Sequence, residues 1–200
     1  MKNAYALFVI LITILGACKK DRATPPQSLA SFPISVGNTW SYKYTIYIGE
    51  SDTLVVTVLS KIRNQGGDSV YLIQKKTSLL GTDTLYALVS KDSVTYYDDL
   101  ALTSLSDKYL LPLNAGSKWS DKAHSIDTTK VLGIGQTNFN GIEYDSIISI
   151  RRDALDGADS VYVYLTFVKP GIGIVYQSES EYFGYYDGYS LCLLSYDLKN

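Results

Sequence analysis

The residues that most often carry chemistry are scarce in this 200-residue chain, which has one histidine, His124, and two cysteines, Cys18 and Cys192. A lone imidazole needs a nearby carboxylate to orient it, and Asp121 and Asp127 each lie three positions away in the expected strand "KWSDKAHSID". That spacing puts both on the opposite pleat from His124, so the segment builds no acid–base pair. One histidine and one cysteine free of other duties also fall short of the three protein ligands a catalytic zinc requires. Cys192, in "SLCLLSY", has no second histidine or helix terminus to activate it, alternates with apolar neighbours and reads as a small buried hydrophobe. Excess charge is missing too. With 18 basic and 20 acidic residues the chain presents no basic face for nucleic acid. An enzyme is not expected, and neither is a metal or cofactor.

Motifs that might hold ions or phosphates fail on their context. "DALDGAD" gathers Asp153, Asp156 and Asp159 around a glycine, but not at the spacing of an EF-hand loop, and strong strand patterns flank it. A hairpin turn is expected there. The Gly-x-Gly pairs at 133/135 and 171/173 are followed by no helical pattern, so they are read as bends in strands rather than phosphate loops.

Tyrosine, by contrast, is abundant, at 18 of 200 residues, and Val, Ile and Thr accompany it. Aromatic and β-branched residues fit a pleated, half-buried surface, so the chain reads as all-β with a minor helical share. In "TWSYKYTIYIG" the residues Trp40, Tyr42, Tyr44, Ile46 and Ile48 share one parity and Ser41, Lys43 and Thr45 the other, which places the first row on a core face. About eleven such strands are counted, nearly all joinable as hairpins, with Asn140-Gly141 a strong tight-turn signal. The segment 99–110, "DLALTSLSDKYL", breaks the pattern and is read as a short helix or loop.

The N-terminus carries Lys2 and then the apolar run "AYALFVILITILGA", too short for a comfortable transmembrane helix but suited to the core of an export signal. Its close, "LGAC" at 15–18, resembles the bacterial lipobox. That resemblance implies a signal peptide over 1–17 and a lipoprotein anchored through an acylated Cys18. Several acyl chains on one residue make a stable membrane attachment, at about 0.8 kcal/mol per buried methylene. Lys19, where an aspartate would favour inner-membrane retention, implies the outer membrane, with the periplasmic or surface side left open. Residues 18–31, with "KKDRATPPQSLAS", read as a lipidated cysteine and flexible tether, and 32–200 as a single domain. With Cys18 acylated, Cys192 has no partner for an intrachain disulfide.

Two stretches, "FPISVGNTWSYK" and "LPLNAGSKWSDK", place Pro33, Gly37 and Trp40 in register with Pro112, Gly116 and Trp119, seventy-nine residues apart. "DSVYLIQKK" and "DTLYALVS" recur as "DSIISIRRD" and "DSVYVYLT" in the same order. Two related halves, about 32–110 and 111–200, are therefore expected, each opened by a stiff proline, a turn at glycine and a tryptophan that starts a sheet. Together with "VKPGIGIVYQ", these motifs resemble predicted Gram-negative lipoproteins whose domains are similar to the lipoprotein-carrier (LolA/LolB-like) fold. The resemblance implies a single strongly curved, mostly antiparallel sheet, an open half-barrel, with its concave face partly filled by short helices or loops. It places none of the carriers' functional residues on this chain.

Two readings of function remain. One is a non-catalytic, lipid-anchored envelope protein whose curved sheet is a receptacle for lipid or another apolar ligand, or a docking surface. The other is a cell-surface module that binds glycan or a partner protein through tyrosine-rich loops, chiefly "YFGYYDGY" with Tyr182, Phe183, Tyr185, Tyr186 and Tyr189.

Overall fold

The computed structural model describes residues 31–46, 49–120, 128–156, 160–181 and 187–199. Twelve strands form one antiparallel sheet. They are β1 (Thr39–Ile46), β2 (Ser51–Arg63), β3 (Ser69–Thr77), β4 (Gly81–Val89), β5 (Ser93–Tyr97), β6 (Leu105–Leu110), β7 (Lys118–Trp119), β8 (Thr128–Phe139), β9 (Ile142–Asp156), β10 (Ser160–Lys169), β11 (Gly173–Glu181) and β12 (Asp187–Asp197). Each half of the chain is a six-stranded meander, and the halves join where β1 pairs with β12, giving the order β6-β5-β4-β3-β2-β1-β12-β11-β10-β9-β8-β7. The twelfth strand, beyond the eleven expected, is β6, which lies in the stretch read as a short helix or loop. Its inward position 107 carries an aspartate, which hides the apolar alternation a strand normally shows.

The two edge strands, β6 and β7, are consecutive in sequence. At about 4.8 Å per strand spacing, the edges of a flat sheet this wide would stand about 50 Å apart. The link 111–117 reaches about 30 Å at most. The sheet must curl until its edges approach, and side chains bridge the seam: the Trp119 indole donates to the Lys108 carbonyl at 3.0 Å, and Arg152 on β9 pairs with Asp107 on β6. The result is the single strongly curved antiparallel sheet expected, curled far enough to be nearly closed and barrel-like, with β6 and β7 as its two edges.

Both Pro-x-x-x-Gly-x-x-Trp segments adopt the same turn. Gly37 and Gly116 have φ of +90° and +84°, which only glycine takes without strain. Gly37 N donates to Val58 O and Gly116 N to Val131 O, each at 2.8 Å. Val58 and Val131 in turn donate to Asn38 O and Ser117 O, each at 2.9 Å. Both valines are fully buried and both tryptophans nearly so. The paired sequence blocks fall six strands apart, on β3 and β9 and on β4 and β10. The lead-in residues Phe32, Ile34, Leu111 and Leu113 join the hydrophobic core, and Phe32 packs on Tyr109 with ring centroids 4.7 Å apart. These two segments pack into the core beside the strands.

The β8–β9 hairpin departs from a plain meander. Its turn has Asn140 and Gly141 both at positive φ, as the Asn-Gly signal predicts. A register shift at Gly135/Thr137 faces Ser146, which sits at φ +52°. The extra residue is on β9, so the left-handed Ser146 is part of the bulge that kinks the hairpin, and here Ile147 and Ile148 are buried consecutively instead of alternating. The tip reaches back to β12, where Asn140 Nδ2 donates to Cys192 Sγ at 3.0 Å. Phe139 lies flat against Tyr176, with centroids at 4.6 Å, and meets Phe167 edge-on.

Candidate functional site: an amphipathic cavity inside the sheet

Strand parity sends one row of side chains from nearly every strand into the barrel, where they enclose a cavity of about 510 Å³. That size lies within the range of about 300–1,000 Å³ typical of small-molecule sites. β1 contributes Trp40, Tyr42 and Tyr44, as its alternation predicts, and β2 to β4 contribute Leu54, Val56, Ile73 and Leu85. The lead-in segment closes one end with Phe32, Pro33 and Ile34. Trp40 is fixed by an indole hydrogen bond to Ile172 O at 2.6 Å, and Tyr42 by a hydroxyl bond to Ile174 O at 3.1 Å, so these large rings form rigid wall. Burial pushes the Tyr42 and Tyr96 hydroxyls far above the ordinary phenol range, with the nearby Tyr96 and Asp107 respectively adding to the effect.

The opposite end is polar. Arg152, Asp107, Tyr164, Glu179 and Tyr189 face one another there, and Thr77, Leu80 and Gly81 of the β3–β4 turn form a lip. Asp52 holds that lip, its carboxylate accepting from Ser78 N at 2.6 Å and Leu79 N at 2.9 Å. Lys75 pairs with Asp83 across the same hairpin at 2.9 Å.

Arg152 is the hub of the polar end. Its guanidinium stacks over Tyr164, its direct neighbour on β10, 4.2 Å from the ring centroid. Its Nη1 donates to Asp107 Oδ1 at 3.3 Å, and the other oxygen of Asp107 accepts from the Tyr109 hydroxyl at 2.6 Å. Burial works against the charge of Arg152, but Asp107, Tyr164 and Tyr109 outweigh it and hold the group protonated. For Asp107 the balance goes the other way: burial raises its pKa despite Arg152 and Tyr109. Glu179 is raised by burial as well, with Arg152 and Tyr164 opposing the shift. Arg152 Nε is buried and has no acceptor among the described residues.

These groups can bind and orient a ligand. Among the described residues no three His, Cys, Asp or Glu side chains converge as a metal ion would require. Cys192 is buried on β12 with its thiol pushed up by burial. His124, Asp121 and Asp127 lie outside the described residues, as do Cys18, Tyr182, Phe183, Tyr185, Tyr186 and Asp159. Tyr189 lies within β12, its ring 5.9 Å from Tyr44, and lines the cavity rather than an outward loop. The six motif residues Pro33, Gly37, Trp40, Pro112, Gly116 and Trp119 shape the closed end and the seam, and Pro33 and Trp40 also touch the cavity.

The overall shape matches a crystal structure of a protein assigned as exported, with a YmcC-like fold, from Bacteroides fragilis NCTC 9343. The alignment has a TM-score of 0.51 at 12% identity and covers 84% of this chain and 99% of that one. The fold is YmcC-like. A protein assigned as a lipoprotein from Parabacteroides distasonis ATCC 8503 aligns with a TM-score of 0.44 at 12% identity, over 83% of this chain and 97% of that one. No protein-family profile and no curated protein matches the sequence.

Sequence reasoning missed Arg152, Asp107 and Glu179. A signal for the first was present: Ile148, Ile150 and Arg152 share one parity, so the arginine ends an inward row.

Proposed function

We propose that this chain is a non-catalytic, lipid-anchored protein of the bacterial outer membrane whose curved sheet takes up a lipid or another apolar ligand. The observation that carries the reading is the cavity, walled by Trp40, Leu54, Val56, Ile73 and Leu85 inside a sheet that closes around it. A barrel that only needed a core would fill this space with its own side chains, since interiors pack to crystal density. The lipobox-like "LGAC" and the likeness to the lipoprotein carriers support the anchor and the receptacle role, and the YmcC-like fold is one that an exported protein also has.

Val56→Trp would place an indole in the cavity without touching the seam. A solvatochromic apolar dye should bind the wild type saturably at one site, and the Trp variant, folded by circular dichroism, should lose that binding. Undiminished dye binding by the variant would move the ligand site out of the barrel. The anchor has a separate test: Cys18→Ser should move the protein from the membrane fraction to the soluble one, and retention in the membrane would contradict it.

A further inference from the structure

A receptacle for bare hydrocarbon would not need a polar end, and this cavity has one with two unmet demands. The first is a donor. Arg152 Nη1 is used by Asp107 and by Ser106 O, but Nε is buried without an acceptor. Buried donors left unmet cost about 1–3 kcal/mol, so an orphan N–H on a cavity-lining guanidinium is a feature to be explained.

The second demand is a cation. Among the described residues three carboxylates line the cavity: Asp83 is paired with Lys75 and Asp107 with Arg152, whereas Glu179 makes no ion pair and has only the Tyr164 hydroxyl and the longer-range pull of Arg152. Glu179 sits where the pairing of β11 and β12 shifts register between Ser178 and Ser180. Its arm lies over Gly188, where an added Cβ would come within 2.9 Å of Glu179 Cγ. A bulge on one strand and a glycine on the next thus seat this carboxylate in the wall. Tyr44, Tyr164 and Tyr189 stand close enough for Glu179 to act on their hydroxyls, so the acid faces the polar end of the cavity rather than solvent.

We infer that the cavity accepts a zwitterionic amphiphile, its apolar chain against the Leu54–Ile73–Leu85 wall, an anionic oxygen taken by Arg152 and an ammonium group taken by Glu179. This rests on the receptacle reading and sharpens it to a head group. A purely anionic head would meet Glu179 with no gain, and a purely cationic one would leave Arg152 Nε unmet. Only a head with both signs answers both groups.

Four probes with the same dodecyl chain separate the possibilities: dodecylphosphoethanolamine, dodecyl phosphate, dodecylammonium and dodecanol. They are titrated below their micelle concentrations into the whole chain and into Glu179→Gln, with binding read by displacement of the apolar dye. The zwitterion should bind the wild type at least tenfold more tightly than either singly charged probe, the scale of one hydrogen bond to a charged group. Glu179→Gln should bring the zwitterion down to the level of dodecyl phosphate and leave dodecanol unchanged. Equal binding of all four probes would overturn the head-group inference while the receptacle stood. Tightest binding by dodecyl phosphate, or no effect of Glu179→Gln on the zwitterion, would likewise overturn it. Failure of every probe, dodecanol included, would remove the receptacle reading as well.

Discussion

Closure of the barrel depends on what bridges the seam between β6 and β7, and Asp107→Asn tests the ionic part of that bridge. The substitution keeps the shape and the hydrogen bond from Tyr109 but leaves the Arg152 guanidinium without its counter-ion. Breaking a fully buried pair costs about 3–5 kcal/mol, and a hydrogen bond to a charged group contributes about 1.5–3 kcal/mol. Here the contact is long, at 3.3 Å, and the side chains keep 19% and 22% of their exposure, so the lower part of that range applies. A coupling of about 1–2 kcal/mol is expected from the cycle of Asp107→Asn, Arg152→Met and the double variant. Urea unfolding followed by tryptophan emission reads it directly, because Trp119 bridges the same seam. The coupling needs an ionised Asp107, whose pKa burial raises. As the pH falls, the coupling should therefore vanish before ordinary surface carboxylates protonate. Additive single effects, within about 0.3–0.5 kcal/mol at neutral pH, would refute the seam argument.

Three further outcomes are expected. Val58→Ala and Val131→Ala remove two methyl groups from fully buried sites that receive the same turn; each should cost about 2 kcal/mol, lowering Tm by about 4–8 °C, and a large inequality between the two in thermal melts would show that the halves are not built alike. Asp52→Ala should speed amide exchange at Ser78 and Leu79. The Asp52 pKa is lowered by its bonds to the backbone of Leu79 and Thr53, so its contribution holds above the unfolded carboxylate value, near pH 4, and is lost as the pH falls through the folded one; unchanged exchange would show that the lip does not depend on it. Asn140→Ala removes a residue suited to positive φ from the hairpin tip that reaches Cys192, so the tip should lift and the uncovered Cys192 should react faster with a maleimide even though it loses the hydrogen bond that favours its thiolate, and an unaltered or slower rate would mean that the tip does not cover the thiol.

The sequence's legibility varied with how far each residue's partner lay along the chain. Strand β1 announced its inward face because Trp40, Tyr42 and Tyr44 alternate with polar neighbours, and the turns at Gly37, Gly116 and Asn140-Gly141 are local enough to be read from a few residues. Strand β6 was hidden because Asp107 occupies an inward position, and an inward acid makes sense only once Arg152, 45 residues later, is known to stand across the seam. The same distance concealed the polar end of the cavity: Arg152, Asp107 and Glu179 each look like ordinary surface charges in their own segments. The folding back of the β8–β9 tip depends on a bulge and on Ser146 at positive φ, and serine carries no strong signal for that conformation.

The measurement that bears most directly on the account is native mass spectrometry, with solvent extraction, on the Cys18→Ser protein purified from the periplasm without detergent. A stoichiometric adduct that extracts as an amphiphile and is absent from Val56→Trp is the predicted result. A clean apo mass for the wild-type cavity, together with no uptake of dodecanol or dye, would contradict the claim that this sheet closes around a ligand.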